Sequence, residues 1–140
     1  MSTNIPEDKQ QLLEQVVTRL SGIPGMVAIV LGGSYASGTA HAGSDLDIGL
    51  YYHESDPFSL EDVREAAGEL AQGGQYTVTG FYEWGAWVNG GAWIHNPVCK
   101  VDFLYRNLGQ VERTIEEAKR GILQHDYAQQ PAYGFHSVIY

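Results

Sequence analysis

At 140 residues, 44% of them hydrophobic, the chain is expected to form a single domain over 1–140 with a sizeable buried core. Eight Lys and Arg against seventeen Asp and Glu leave a formal charge of −9. That is the reverse of the basic stripe that displaces counterions from phosphates, so a nucleic-acid partner is disfavoured. The lone Cys99 excludes an internal disulfide, and neither a signal-like N-terminus nor an apolar run of membrane-spanning length is visible, so a cytoplasmic protein without a membrane partner is expected.

From the N-terminus, Glu7 to Leu20 places Leu12, Leu13, Val16, Val17 and Leu20 on one helical face, ending near Gly22 and Pro24. Met26 to Leu31 is a short apolar run that predicts a buried strand. Gly32 and Gly33 then let the backbone turn sharply and approach a ligand closely, with N–H groups facing phosphate oxygens, and Ser34 adds a hydroxyl. A short helix from Ser34 through Gly38 would favour an anion at its start.

Leu46 to Tyr52 predicts the next strand. Successive strand side chains point to opposite faces, so Asp45 and Asp47 emerge on the same side, roughly 6 to 7 Å apart at Cα. Two carboxylates that close repel unless a cation lies between them, which makes a divalent metal the simplest reason for the pair. Other phosphate and metal motifs fail on their letters. Thr39 stands where a Walker A loop needs lysine, Gly49 and Leu50 break a calcium loop, and no G-x-G-x-x-G follows a candidate strand.

Ser59 caps a predicted helix with Leu60, Val63, Ala67 and Leu70 as its apolar stripe and Gly73-Gly74 as its stop. Gln75 to Phe81 alternates as a third strand. Glu83 to Trp93 concentrates Trp84, Trp87 and Trp93 among glycines, where the rings either line a nucleobase or acceptor pocket or anchor a hairpin or subunit contact. Val98 to Tyr105 predicts a fourth strand, on which Asp102 is a charge among apolar neighbours that needs explaining. It either joins the carboxylate pair or bonds Lys100 or Arg106, and Glu83 is the substitute in the second case. Lys100 shares the face of Asp102 and either meets a phosphate or is solvated; His41 contacts a nucleotide or caps its loop. His53, His95, His125 and His136 show no paired ligand spacing.

Asn107 and Gln110 form a capping box for a last helix through Arg120, closed by Gly121. The segment 133–140 is apolar and aromatic. Phe135, Val138, Ile139 and Tyr140 would leave an exposed patch, which predicts a homodimer contact or a further helical domain.

Gly33-Ser34, a ten-residue spacer, Asp45-x-Asp47 between apolar residues and a later strand aspartate, Asp102, together resemble the signature of the nucleotidyltransferase superfamily typified by DNA polymerase beta and kanamycin nucleotidyltransferase. The resemblance spans roughly residues 26 to 105, and similarity to small bacterial nucleotidyltransferase-domain proteins extends to Trp87–Trp93 and Asp102–Arg106. It implies an α+β fold, a twisted mixed β-sheet flanked by helices. It also implies a metal-dependent enzyme that moves a nucleoside monophosphate from an NTP, ATP in this reading, to a hydroxyl of a small molecule or protein, releasing pyrophosphate. Asp45, Asp47 and Asp102 would be catalytic and would hold two Mg²⁺ ions. Gly32, Gly33 and Ser34 would bind the nucleotide phosphates. A nucleotide-binding or antitoxin-like module of the same fold without turnover is the alternative.

Overall fold

The computed structural model describes residues 5–122, with 125–126 and 133–134. Leu12, Val16 and Leu20 recur at helical spacing and form the buried stripe of α1 (Glu7–Ser21). Val17, expected on that stripe, turns 40% exposed, and Leu13 is only half-buried. The apolar run after α1 becomes β1 (Ala28–Gly32), followed at once by the short helix α2 (Gly33–Ser37). β2 (Leu46–Tyr52) forms over its predicted bounds. Next comes α3 (Leu60–Ala71), where the Ser59 side chain accepts from the Asp62 N–H as an N-cap should.

β3 (Tyr76–Val78) is shorter than the predicted Gln75–Phe81 strand, and β4 (Gly91–His95) was not anticipated at all. β5 (Lys100–Asn107) leads into α4 (Leu108–Lys119). Asn107 caps α4 through the Gln110 N–H, but the capping box is half made, because the Gln110 side chain donates to the Ala86 carbonyl instead of reaching back. A two-residue pairing of β6 (His125–Asp126) with β7 (Tyr133–Gly134) follows. Phe135, Val138, Ile139 and Tyr140, on which the interface expectation rested, lie outside the described residues.

The five-stranded sheet runs β1-β2-β5-β4-β3. β2 and β5 are parallel, and the other neighbours are antiparallel, so the sheet is mixed and the fold is α+β as expected. Period-two burial gives the sheet two unlike faces. Leu46, Ile48, Leu50 and Tyr52 of β2 and Val101, Phe103 and Tyr105 of β5 sink into one core cluster with the apolar stripes of α1 and α3. Burying each such side chain contributes roughly 1.5–3 kcal/mol. The opposite face carries Asp47, Asp102 and Trp93. β1 is not the buried strand its composition suggests. It lies at the sheet edge with Val30 exposed, because apolar letters alone do not reveal that only one neighbour pairs with it.

Candidate functional site

Register assembles the candidate residues. Gly32 of β1 pairs with Asp47 of β2, Asp47 with Asp102 of β5, Asp102 with Trp93 of β4, and Trp93 with Thr77 of β3. Paired residues share a face, so one row crosses all five strands on the open side of the sheet, each step roughly 4.8 Å. Asp45 stands just before β2 and is half-buried. The three predicted aspartates therefore gather at one end of the central parallel pair. Glu83, the alternative third carboxylate, does not join them; it bonds the Gly80 N–H within its own loop.

Gly33 adopts φ +64°, a left-handed conformation that costs a non-glycine residue roughly 1–2 kcal/mol. A Cβ there would overlap Oδ2 of Asp47. Glycine is thus needed both for the turn and for the approach of backbone to carboxylate. Ser34 follows at the start of α2, and its hydroxyl has no hydrogen-bond partner among the described residues. Gly38, also left-handed, ends the helix.

Asp47 and Asp102 are not in their ordinary state. Burial, reinforced by the neighbouring Asp45 charge, raises the Asp47 pKa, with Lys100 opposing the shift. Burial pushes Asp102 up to about 6; Lys100 opposes this, whereas Asp47 and Asp45 add to it. Lys100 approaches Asp102 at 3.8 Å, and the Asp102 side chain is only 16% exposed. Asp102 thus lies next to Asp47 in register and also faces Lys100. Even so, its Oδ1 is buried without a hydrogen bond.

Such a site suits a hard cation. Carboxylate oxygens are its natural donors, a cation would offset both the burial of the charges and the repulsion between them, and the Oδ1 without a hydrogen bond is an available ligand atom. Among the described residues no three His, Cys, Asp or Glu side chains converge on one metal position. Mg²⁺ does not require that, because it commonly takes one or two carboxylates and completes its shell with substrate phosphates and water.

A residue not singled out from the sequence fixes the approach to these acids. Lys9 of α1 is 4% exposed, and its ammonium donates to the Tyr35 hydroxyl at 2.8 Å, the Ala42 carbonyl at 2.9 Å and the Ser44 carbonyl at 2.7 Å. It also sits 5.3 Å from the Tyr35 ring centroid. One side chain thus ties α1 to α2 and to the residue before Asp45. The sequence signal was weak, since a lysine early in an amphipathic helix reads as solvated. His41 caps its own loop, accepting from the Gly43 N–H through Nδ1 at 3.1 Å.

The tryptophans separate. Trp87 is buried, whereas Trp84 and Trp93 pack together with ring centroids 4.8 Å apart. Glycine at 91 is forced, because a Cβ there would collide with the Phe103 carbonyl and stand 3.2 Å from Cη2 of Trp84. The buried Asn89 holds the preceding loop by donating to the Tyr52 hydroxyl at 2.8 Å, while its backbone carbonyl accepts from the Trp84 N–H at 3.1 Å.

A family model described as a nucleotidyltransferase domain matches residues 10–85, a span that includes Gly33, Ser34, Asp45 and Asp47 and stops short of Trp93 and Asp102. No curated protein and no solved structure matches the chain.

Proposed function

Because the chain belongs to the nucleotidyltransferase domain family, we propose that it transfers a nucleoside monophosphate from an NTP, with ATP as the donor, to a hydroxyl of a small molecule or protein, releasing pyrophosphate. The observation that carries this reading is the register of Asp47 with Asp102 on the open face, both with raised pKa values, and with Asp47 beside the Gly32-Gly33 turn. Proteins seldom place half-buried carboxylates side by side unless a cation or a proton is to be held there.

Asp45, Asp47 and Asp102 would hold two Mg²⁺ ions. When bound, such ions stabilise the charge on the attacking and departing oxygens of an in-line displacement. The chain's own groups do the rest. Gly33, with no Cβ to intervene, lets backbone N–H groups reach the β and γ phosphates, and the Ser34 hydroxyl adds a donor. Asp102 orients the acceptor hydroxyl and helps take its proton as the acceptor oxygen bonds to the α phosphorus and the bond from that phosphorus to the departing pyrophosphate breaks. Lys100, within 3.8 Å of Asp102, then offsets the negative charge that gathers on the phosphates.

The formal charge of −9 favours an acceptor other than nucleic acid, and the lone cysteine favours a reducing cytoplasm. No helix among the described residues is long and apolar enough to cross a membrane.

Asp47→Asn tests the reading by calorimetric titration of ATP with Mg²⁺. The affinity is expected to fall at least about 100-fold, roughly 2.7 kcal/mol, while the melting temperature in metal-free buffer stays level or rises, because a repelling charge is gone. Equal affinity in both proteins would overturn the site. Binding that never leads to pyrophosphate release, across acceptors screened by intact-mass shift, would leave the chain a non-catalytic nucleotide-binding module.

A further inference from the structure

Trp93 pairs directly with Asp102 across the strands, yet 40% of its surface is open to solvent. Its other side rests on Trp84, and the register step beyond it, His95 paired with Lys100, bears nitrogen groups on the same open face. Exposed indole beside carboxylates contributes nothing to the core, which lies on the other side of the sheet. We propose that Trp93, backed by Trp84, is the acceptor platform, on which a hydroxyl-bearing ring of the acceptor lies flat with that hydroxyl directed at Asp102.

The argument rests on the transfer reading above and on in-line geometry. Attacking and leaving oxygens stand on opposite sides of the reacting phosphorus. The leaving pyrophosphate belongs at Gly33-Ser34, on the β1 side of Asp47, so the acceptor oxygen must arrive from the β5 and β4 side. The residues met in that direction are Asp102 and then Trp93. With strands roughly 4.8 Å apart, the Trp93 backbone is one step from Asp102 and two from Asp47. A six-membered ring seated on the indole spans the first of these steps and brings a substituent hydroxyl to the carboxylate. Flat apolar contact with an indole suits either an aromatic ring or the C–H face of a saturated one. The shared requirement is a ring that carries the hydroxyl.

The test uses the full chain with Mg²⁺ and α,β-methylene-ATP, whose bridging carbon blocks transfer. Two probes, tyramine for a phenolic ring and methyl glucoside for a saturated one, are titrated separately and followed by saturation-transfer NMR. We expect one of them to bind at its ring protons, which also identifies the source of the ring. Its affinity should fall about tenfold in Trp93→Ala and recover largely in Trp93→Phe, with nucleotide affinity unchanged in both variants. Melting curves confirm that each variant is folded. The proposal is overturned if neither ring binds the wild type, if Trp93→Ala binds the ring as well as wild type, or if Trp93→Ala instead loses nucleotide affinity, which would make the pair a nucleobase platform. Failure of the wild type to bind the nucleotide at all is a different result, and it removes the transfer reading on which the platform depends.

Discussion

Lys9 and Asp102 are both charged residues withdrawn from water, and the fold treats them in opposite ways. The Lys9 ammonium has three hydrogen-bond acceptors within 2.9 Å, whereas Asp102 has an oxygen with no hydrogen bond and a lysine no nearer than 3.8 Å. A buried polar group fully met by the protein belongs to the architecture; one left open is either a defect or a seat for something that arrives later. The site is therefore built in two tiers. A satisfied cation fixes the chain that leads to Asp45, and a carboxylate with an unsatisfied oxygen, Asp102, faces the open side of the sheet.

The contrast can be broken most forcefully at Lys9. Lys9→Met keeps length and removes all three hydrogen bonds, leaving the Ala42 and Ser44 carbonyls and the Tyr35 hydroxyl without their donor. The expected loss is about 3 kcal/mol by urea denaturation, since hydrogen bonds to charged groups each count for more than neutral ones. Tyr35→Phe, which deletes one partner, should cost about a third of that. No loss of stability in Lys9→Met would mean that the ammonium is held at a cost equal to its benefit.

Gly33 tests the junction of the two tiers. Gly33→Ala forces a side chain into a left-handed conformation and into the Asp47 carboxylate, so stability should fall by about 2 kcal/mol. Affinity for ATP with Mg²⁺ should fall further than in Ser34→Ala, where only a hydroxyl is lost. Unaltered affinity in a folded Gly33→Ala protein would reduce the turn to a structural element.

The smallest expected effect sharpens the contrast at Asp102. Its folded pKa, about 6, lies above the ordinary 3.8. The native state therefore holds a proton that the unfolded state has already lost over this window, and stability falls as pH rises from about 4 to 6. Above that range the penalty is complete. Asp102→Asn should flatten this part of the stability profile, with a gain on the order of 1 kcal/mol at pH 7 after solvent screening. Adding Mg²⁺ should restore much of the same increment to the wild type, because a cation that binds only the folded carboxylates stabilises them. A profile of the same slope in Asp102→Asn and wild type would place the proton elsewhere.

Much of this arrangement was legible in the letters where a local rule governs. The predicted strand Leu46 to Tyr52 formed over its bounds with the two faces that strand alternation implies, Ser59 and Asn107 announced their helices, and the glycine pair marked the turn beside Asp47. The same period-two reading put Asp102 on a strand face, although only the parallel register of β2 and β5 shows that it meets Asp47. What escaped depended on partners distant in sequence. β4 was hidden because Gly90 and Gly91 read as loop, while in the fold they are required by the closeness of Gly80, Thr79 and the Phe103 backbone. Lys9 gave no sign because its acceptors lie 26 to 35 positions away, in α2 and the loop that follows it. The edge placement of β1 follows from sheet order, which its own composition does not encode.

The parallel pairing of β2 with β5 has a consequence for how the chain is made. α3, β3 and β4 are synthesised between them, so at roughly 5–20 residues per second β2 spends several seconds on the ribosome with an apolar face and one unpaired edge. Exposed strand edges of that kind recruit other chains. Asp45 and Asp47 supply two negative charges at the start of this strand throughout that interval, and charges flanking an apolar strand are the usual guard against such recruitment. Residues read here as a nucleotide site would thus already serve the nascent chain, as gatekeepers, before the strand bearing Asp102 exists.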